Sequence, residues 1–558
     1  MNYYIYFVII ASFKFFTHYL NVIEVFIDRD LPEDIIYDYI IVGSGSSGGV
    51  IASNLKGNVL LIEAGGYGSG FFFNIPIVQP LLLRSDYDWK HETVPQTNSC
   101  KGMNDNTCFW PTGKIISGTH RLNNMIYHKG HPIDYADFFK DINDAKKYFR
   151  MNEKSIPVSE TNFKSAVSHA FIKAGKILGF DDFSHVNLTQ LYGKRFTQIY
   201  NWWKKILEPP KVILNAMVTK VLFAGNQKIV TGIEFIKNDQ LHEVFGKKIV
   251  LSAGTMGSPR ILLHSGIGPK DHLNEIGINV VEDLQVGENL QDHVTTNIEI
   301  LLNQTVGCSL KDIYNPLNVI DYLFKGNGPL ALAGSDAMGF VGFNASSDIP
   351  DISFILLPIS IADDHGLHLR KAINIKDVVW NRYYVPLIDQ PIATILPILL
   401  HPQSKGNLRL RSRNISDTLL INPNYYNAQK DIKSMIKAIR IIQKLIEAPP
   451  MRQLGAELIP KKLPGCENHN DNSDGYWECY IRHLTLTMYH PVGTCKLGDY
   501  EDKTSVVLRN FQVKNVKNLY VVDGSIIPKA SSANPHALIS MLAHKFTHEM
   551  NLINDADE

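Results

Sequence analysis

The chain has 558 residues, 45% hydrophobic and 20% charged, the composition of an ordinary globular protein with room for two or more large cores. Lys plus Arg and Asp plus Glu each total 55, so the formal net charge is zero. That balance leaves no electrostatic footprint for nucleic acid or an anionic membrane surface, and no CxxC or His/Cys cluster argues for a metal.

The N-terminus is apolar from Tyr3 to Phe16, interrupted by Lys14. A membrane span needs about 20 apolar residues, so the expectation is a cleaved secretory signal over residues 1–20, although the basic n-region of such signals is missing. Asn187, Asn303, Asn344 and Asn414 each open an Asn-X-Ser/Thr triplet, which agrees with secretion. Cys100 and Cys108 flank one short loop and Cys466 and Cys479 another; disulfides or free thiols fit both.

From Tyr37 to Gly66 the order is strand, glycine turn, helix, strand and acid. Tyr39 to Val42 reads as a buried parallel strand, Gly43-Ser44-Gly45-Ser46-Ser47-Gly48 as a GxGxxG turn, Val50 to Leu55 as a helix, and Val59 to Ile62 as a second strand ending at Glu63. Gly43 permits the tight turn, Gly45 the approach of a pyrophosphate, and Gly48 close helix–strand packing, with the helix N–H groups offered to phosphate. Glu63, about 20 residues after Gly43, can accept from a ribose diol, which favours FAD or NAD over NADP.

Tyr67 to Gln96, rich in Phe, Pro and Leu, reads as a packed irregular segment. In Trp110 to Gly130, small residues at Gly113, Ser117, Gly118 and Thr119 allow close backbone approach to a ligand, and Asn123 stands just behind them. Val212 to Leu214, Val218 to Phe223, Val230 to Ile236 and Glu243 to Ser252 read as strands. Ser258-Pro259 is expected to start a helix with proline in its first turn, and Gly266-Ile267-Gly268 to end it. Val286 to His293 is a turn whose His293 is read as structural. Between Asn297 and Pro402, apolar strands such as 351–357 and 392–400 alternate with Pro-rich breaks. A helix over 431–446 presents Ile432, Met435, Ile436, Ile439, Ile442 and Leu445 to a core, and 468–475 reads as an exposed loop.

The nucleotide unit, the Trp110 to Gly130 run, Gly254 to Gly268 and Tyr489-His490-Pro491-Val492-Gly493-Thr494-Cys495 stand in the order in which they occur in the glucose-methanol-choline (GMC) oxidoreductases, which this chain resembles from Tyr37 to about Glu549. The Cys100 to Cys108 loop ahead of Trp110 is similar to the insect, glucose dehydrogenase-like branch. The resemblance implies an α/β fold: a Rossmann-like FAD-binding domain built from 37–155, 212–296 and 491–549, and a second α+β substrate domain, an antiparallel sheet roofed by helices, from 156–211 and 297–490. It implies FAD as cofactor, held by Gly43, Gly45, Ser46, Ser47, Gly48, Glu63 and Ala64, by Trp110, Gly113, Gly118, Thr119, Asn123 and Met125, and by Val218, whose backbone would meet the adenine. Asp523, Gly524, Asn534 and Pro535 would complete the site from the other end of the chain.

Oxidising an alcohol requires a base for the hydroxyl proton as hydride leaves carbon, and histidine has the suitable pKa. Of the 20 histidines, the resemblance singles out His490. Asn534 matches the family's second active-site position, where an amide can hydrogen-bond the alcohol oxygen, with His536 as a competitor. The implied activity is oxidation of a small-molecule alcohol at its CH–OH group, with oxygen or another acceptor taking the electrons; a hydroxynitrile lyase and a silent FAD-binding module are the alternatives. No membrane span is expected, and the oligomeric state is left open. The chain departs from the family at Ser117-Gly118-Thr119-His120, where paired glycines and paired Ser or Thr are usual, at Arg121, and at Asp141 to Ala145. Sugar, sterol, retinoid, aromatic and terpenoid alcohols all fit the sequence.

Overall fold

The computed structural model describes residues 35–68, 72–197, 210–225, 227–304, 307–344 and 346–557. The expected secretory signal lies outside them. The strand β1 (Ile36–Val42), the helix α1 (Gly48–Asn54) and the strand β2 (Val59–Ile62) form the βαβ unit that the apolar runs and glycine turn predict. β1 and β2 pair in parallel, Tyr39 opposite Val59 through Val42 opposite Ile62. Their continuous apolar character is explained by burial on both faces, as in other parallel sheets.

β1 also pairs in parallel with Gln240–Leu251, and β2 with Lys211–Ile213. The long strand Gln240–Leu251 changes partners along its second edge. Its first half runs antiparallel to Val230–Lys237, and its last three residues run parallel to Leu519–Val521. With Ala216–Phe223 at the edge this makes a seven-stranded sheet that joins both ends of the chain. The C-terminal helix His536–Asp557 then packs on α1 and on Ile142–Ser155. It is tied down by Tyr39 Oη donating to Asn554 Oδ1 and by Ser540 Oγ donating to the carbonyl of Ser46.

A second, eight-stranded sheet is antiparallel throughout its pairs. Ile298–Leu301, Ile392–Leu399, Ile352–Leu357 and Ala337–Val341 form its centre. The helix Gln429–Glu447 lies against Ile392–Leu399 and buries Ile432, Met435, Ile439, Ile442 and Leu445 of the stripe read from the sequence, while Ile436 is only partly buried. The helix Ala166–Ile177 covers Ala337–Val341. This is the expected antiparallel sheet roofed by helices. Among the described residues no helix is long and apolar enough to cross a membrane.

Two local expectations change. The helix expected to begin at Ser258 begins at Gly254, so Pro259 lies inside it rather than in its first turn. A proline there removes the N–H that would serve the carbonyl of Thr255. That carbonyl accepts instead from Thr494 Oγ1 at 2.7 Å, so the internal proline leaves no buried polar group unmet. The loop expected over 468–475 stops at Ser473, whose hydroxyl accepts from Tyr476 N and caps the helix Asp474–His483. Both cysteine pairs are disulfides, Cys100–Cys108 and Cys466–Cys479, while Cys308 and Cys495 are buried thiols.

The crossing of α1 over β1 depends on Gly48, where an added Cβ would stand 1.8 Å from the backbone oxygen of Gly43. Backbone cannot retreat as a flexible side chain can. Gly48→Ala is therefore expected to cost about 1–3 kcal/mol or more and to lower the thermal midpoint clearly, as followed by near-ultraviolet circular dichroism. An unchanged midpoint would refute this account of the crossing.

Candidate active site

A cavity of about 430 Å³ opens at the carboxyl ends of the parallel strands and runs to the face of the antiparallel sheet. The end of a doubly wound sheet is where such folds bind ligands. Of the residues singled out in the sequence, Gly43, Gly45, Ser46, Ser47, Glu63, Ala64, Gly113, Gly118, Thr119, Asn123, Met125, Val218, Asp523, Gly524, Asn534, Pro535 and His490 line it. Gly48, Trp110 and Ser117 do not; the Ser117 hydroxyl is buried and donates to Thr197 Oγ1 at 3.1 Å. Gly48 serves the helix crossing, and Trp110 is buried in the core with its ring 6.2 Å from that of Tyr425.

The nucleotide end is drawn together by Glu63. Its Oε2 accepts from both the N–H and the hydroxyl of Ser44, at 3.0 and 2.6 Å, and its Oε1 accepts from Gly65 N at 2.9 Å. Ser44 Oγ in turn accepts from Ser117 N at 2.9 Å, which joins the first glycine turn to the second. Burial pushes the Glu63 carboxyl above its ordinary range, against these bonds, which pull it down. The two glycine runs touch: a Cβ on Gly118 would come within 3.0 Å of Gly45 Cα. Ser47, the residue before α1, makes no side-chain capping bond, and in the first turn Gly49 N donates to the carbonyl of Gly45 at 3.0 Å. A glycine cradle, an uncapped helix start and a carboxylate with spare lone pairs fit the ADP half of FAD.

Asp523 has a different task from direct contact by its side chain. Its Oδ2 accepts from Gly254 N at 2.9 Å and Ser258 Oγ at 2.5 Å, and its Oδ1 from the N–H and hydroxyl of Ser525. The carboxylate thus fills the N-terminus of the Gly254–His264 helix, where negative charge is favoured. It fixes Gly524 at the cavity wall from the far end of the chain.

The chemical end is built on one strand pairing. Val294–Thr295 runs antiparallel to Leu486–Thr487, so the residues just outside the ladder, His293 and the Met488 to His490 turn, face each other. Met488 N donates to the carbonyl of His293 at 2.9 Å. Asp292 holds the turn: its Oδ1 accepts from His490 N at 2.9 Å, and its Oδ2 accepts from the hydroxyls of Thr487 and Tyr425. Burial raises this carboxyl to about 6. Tyr489 is forced to φ +60°, a left-handed conformation uncommon outside glycine, in order to present His490.

The histidine orientations follow from an acceptor that cannot donate. His293 Nε2 lies 2.8 Å from the carbonyl of Ser531, so that nitrogen carries the proton. Burial brings His293 down to about 4, so it is neutral and its Nδ1 is an acceptor. That Nδ1 is 2.9 Å from His490 Nδ1, which must therefore be the protonated nitrogen of His490. The remaining lone pair sits on His490 Nε2, which accepts from Asn534 Nδ2 at 2.9 Å. Burial first, and the adjacent His293 second, hold His490 well below the ordinary histidine value.

His293, read from the sequence as structural, is thus the direct partner of His490. The short Asp292-His293 step ahead of an apolar strand carries no periodic or spacing signal that would reveal this. His536 is not beside His490: its Nδ1 lies 2.9 Å from Ser46 Oγ and its ring lies 4.0 Å from that of His120, tilted by 41°. Asn534 occupies the place for which the two were rivals. Arg121 is buried beneath Tyr67 and Phe73, about 5.3 Å from each ring, and does not line the cavity.

Residues 37–295 match the N-terminal and residues 402–543 the C-terminal domain of the family described as GMC oxidoreductase. A "Glucose dehydrogenase [FAD, quinone]" of Drosophila melanogaster is 31% identical over 92% of this chain and 86% of its own length. An "Alcohol dehydrogenase [acceptor]" of Pseudomonas putida is 30% identical over 91% of this chain and 94% of its own. Among solved structures, pyridoxine 4-oxidase from Mesorbium loti superimposes with a TM-score of 0.76 at 25% identity, covering 92% of this chain and 98% of that one.

Glu63→Ala removes the acceptor of three hydrogen bonds that close the nucleotide end. With charged hydrogen bonds contributing about 1.5–3 kcal/mol each, FAD retention is expected to weaken at least about tenfold. The ratio of flavin to protein absorbance after gel filtration measures it.

Proposed function

Because the chain belongs to the GMC oxidoreductases, we propose that its FAD-dependent oxidation of an alcohol CH–OH group is carried out by His490 as base and Asn534 as the amide that orients the alcohol oxygen. The observation that carries this reading is the hydrogen-bond chain from the carbonyl of Ser531 through His293, which leaves Nε2 of His490 unprotonated at the cavity wall. FAD supplies the hydride acceptor. Gly43, Gly45, Ser46, Ser47, Glu63, Ala64 and Val218 would hold its ADP half, and Gly113, Gly118, Thr119, Asn123, Met125, Gly524 and Pro535 would bound its ring system.

The alcohol enters between Asn534 Nδ2 and His490 Nε2, its oxygen accepting from the amide and its hydroxyl proton directed at the imidazole. The proton passes to Nε2 while Nδ1–H stays bonded to His293. The burial that keeps Nε2 free at neutral pH also makes it a weak base. Proton transfer therefore runs in step with departure of hydride from carbon, not ahead of it. Oxygen or another acceptor afterwards takes the electrons.

We assign 37–155, 212–296 and 491–549 to the cofactor-binding part and 156–211 and 297–490 to the substrate part, with crossovers close to where strands change sheet. Lys211–Ile213 already pairs with β2, and Val294–Thr295 already pairs within the antiparallel sheet. We also infer secretion; the two disulfides support an oxidising compartment.

His490→Ala is expected to keep its flavin and to lower the rate of anaerobic flavin reduction by the alcohol about 10²- to 10⁴-fold. Undiminished reduction would sink the assignment. The pH profile of that reduction is expected to be flat through neutrality, with its acid limb below 6.5, because the base form of a depressed histidine survives down to its own pKa. His293→Ala removes the acceptor of the His490 Nδ1 proton and one of the two influences that depress His490; Asp292 stays in place. The expected result is a rate lower by about 10- to 100-fold, with the acid limb moved upward toward the ordinary histidine value. A merely structural His293 would leave the limb where it was.

A further inference from the structure

The wall that the antiparallel sheet gives to the cavity carries its polar and apolar side chains in different states. Leu357 and Leu396, at neighbouring places in the strands Ile352–Leu357 and Ile392–Leu399, are only partly buried although most of their strand neighbours are fully so. Leu369 and Ile373, from a short helix on the same side, are likewise partly open. The polar lining residues Thr295, Asn297, Ser335 and Thr394 are at most 2% exposed.

Those polar groups have also spent their donors within the protein. Thr295 Oγ1 donates to the carbonyl of Pro397, Ser335 Oγ to that of Leu356, Thr394 Oγ1 to Glu299 Oε2, and Asn297 Nδ2 to Glu299 Oε1 and Tyr384 Oη. In this wall Asn297 Oδ1 alone has no partner among the described residues. These four side chains offer no free donor, so the hydroxyl oxygens of a sugar brought here would have none of them to accept from. An alkyl chain would lose nothing and would cover the open leucines.

We propose that the alcohol oxidised at His490 is an elongated apolar one, with its aliphatic body laid along Leu357, Leu396, Leu369 and Ile373, and that polyols are excluded. The assignment rests on the reading of the cavity as an alcohol site. Tertiary alcohols separate the two, because they have no hydrogen on the carbinol carbon and bind without being oxidised.

The holoenzyme is titrated with tert-butanol and with dimethyl carbinols carrying butyl, hexyl and octyl chains, following the shift of the flavin absorption band. Affinity is expected to rise about two- to fourfold per added methylene. Leu357→Asn and, independently, Leu396→Asn are expected to weaken the octyl compound at least about tenfold with flavin content unchanged. Affinity that is independent of chain length, or sorbitol perturbing the band at lower concentration than the octyl carbinol, overturns the proposal. Anaerobic bleaching by primary octanol and by glucose completes the test. Bleaching by glucose alone overturns the apolar assignment while leaving the oxidoreductase reading intact. Chain-length-dependent binding with bleaching by neither octanol nor glucose leaves the apolar wall but overturns the reading of the cavity as an alcohol-oxidising site, and with it the proposal.

Discussion

The hydrogen bond between His293 and His490 is the contact on which the chemical end of this enzyme depends. It exists because Val294–Thr295 and Leu486–Thr487 pair antiparallel, which brings two histidines nearly two hundred positions apart to 2.9 Å. The carbonyl of Ser531 sets its polarity, since it can only accept. One backbone oxygen, acting through the His293 imidazole, decides which nitrogen of His490 carries the proton. The costs of this arrangement are visible around it in the left-handed Tyr489 and in Asp292, buried and raised to about 6 while it holds the turn.

A second constraint is that both ends of the chain must meet over one cavity. The strand Gln240–Leu251 makes this geometrically available by pairing with β1 on one edge and ending against Leu519–Val521 on the other. Asp523 then turns proximity into fixed position, because its carboxylate serves the start of the Gly254–His264 helix and the Ser525 turn at once. The internal Pro259 belongs to the same arrangement, as the carbonyl it frees is taken by Thr494, four residues beyond His490. The Asp523–Ser525 turn, the helix and the segment that follows His490 are thereby linked by bonds rather than by packing alone.

Much of the framework was legible beforehand because it is local. The βαβ unit shows in the apolar runs 39–42 and 59–62 and the glycines between them, and the Gln429–Glu447 helix shows in a stripe with a period close to 3.6. The antiparallel sheet was legible as a class, from short apolar runs between breaks. Where reading failed, the cause was a partner distant in sequence. Pro259 is tolerated inside a helix only because Thr494 is there to satisfy Thr255, and no rule of helix punctuation includes that residue. Trp110 sits in a run of which Gly113, Gly118, Thr119, Asn123 and Met125 line the cavity, yet the direction of one side chain in an irregular segment is set by neighbours such as Tyr425.

By itself the sequence determined the nucleotide unit, the two sheets as types and FAD as the cofactor implied by the family's motifs, and it singled out His490 and Asn534, whose side chains lie 2.9 Å apart. Each of these rests on residue types at fixed short spacing, where chain geometry leaves little choice. Only the tertiary structure decided that His293 is the partner of His490, that Asn534 and not His536 stands beside it, and that Asp523 binds a helix end. It also decided that the open surface over the antiparallel sheet is aliphatic while the donors of its hydroxyls and amide are bonded within the protein. Hydrogen bonds and exposure are properties of pairs brought together by strand register and sheet packing, and a one-dimensional pattern does not contain the pairing.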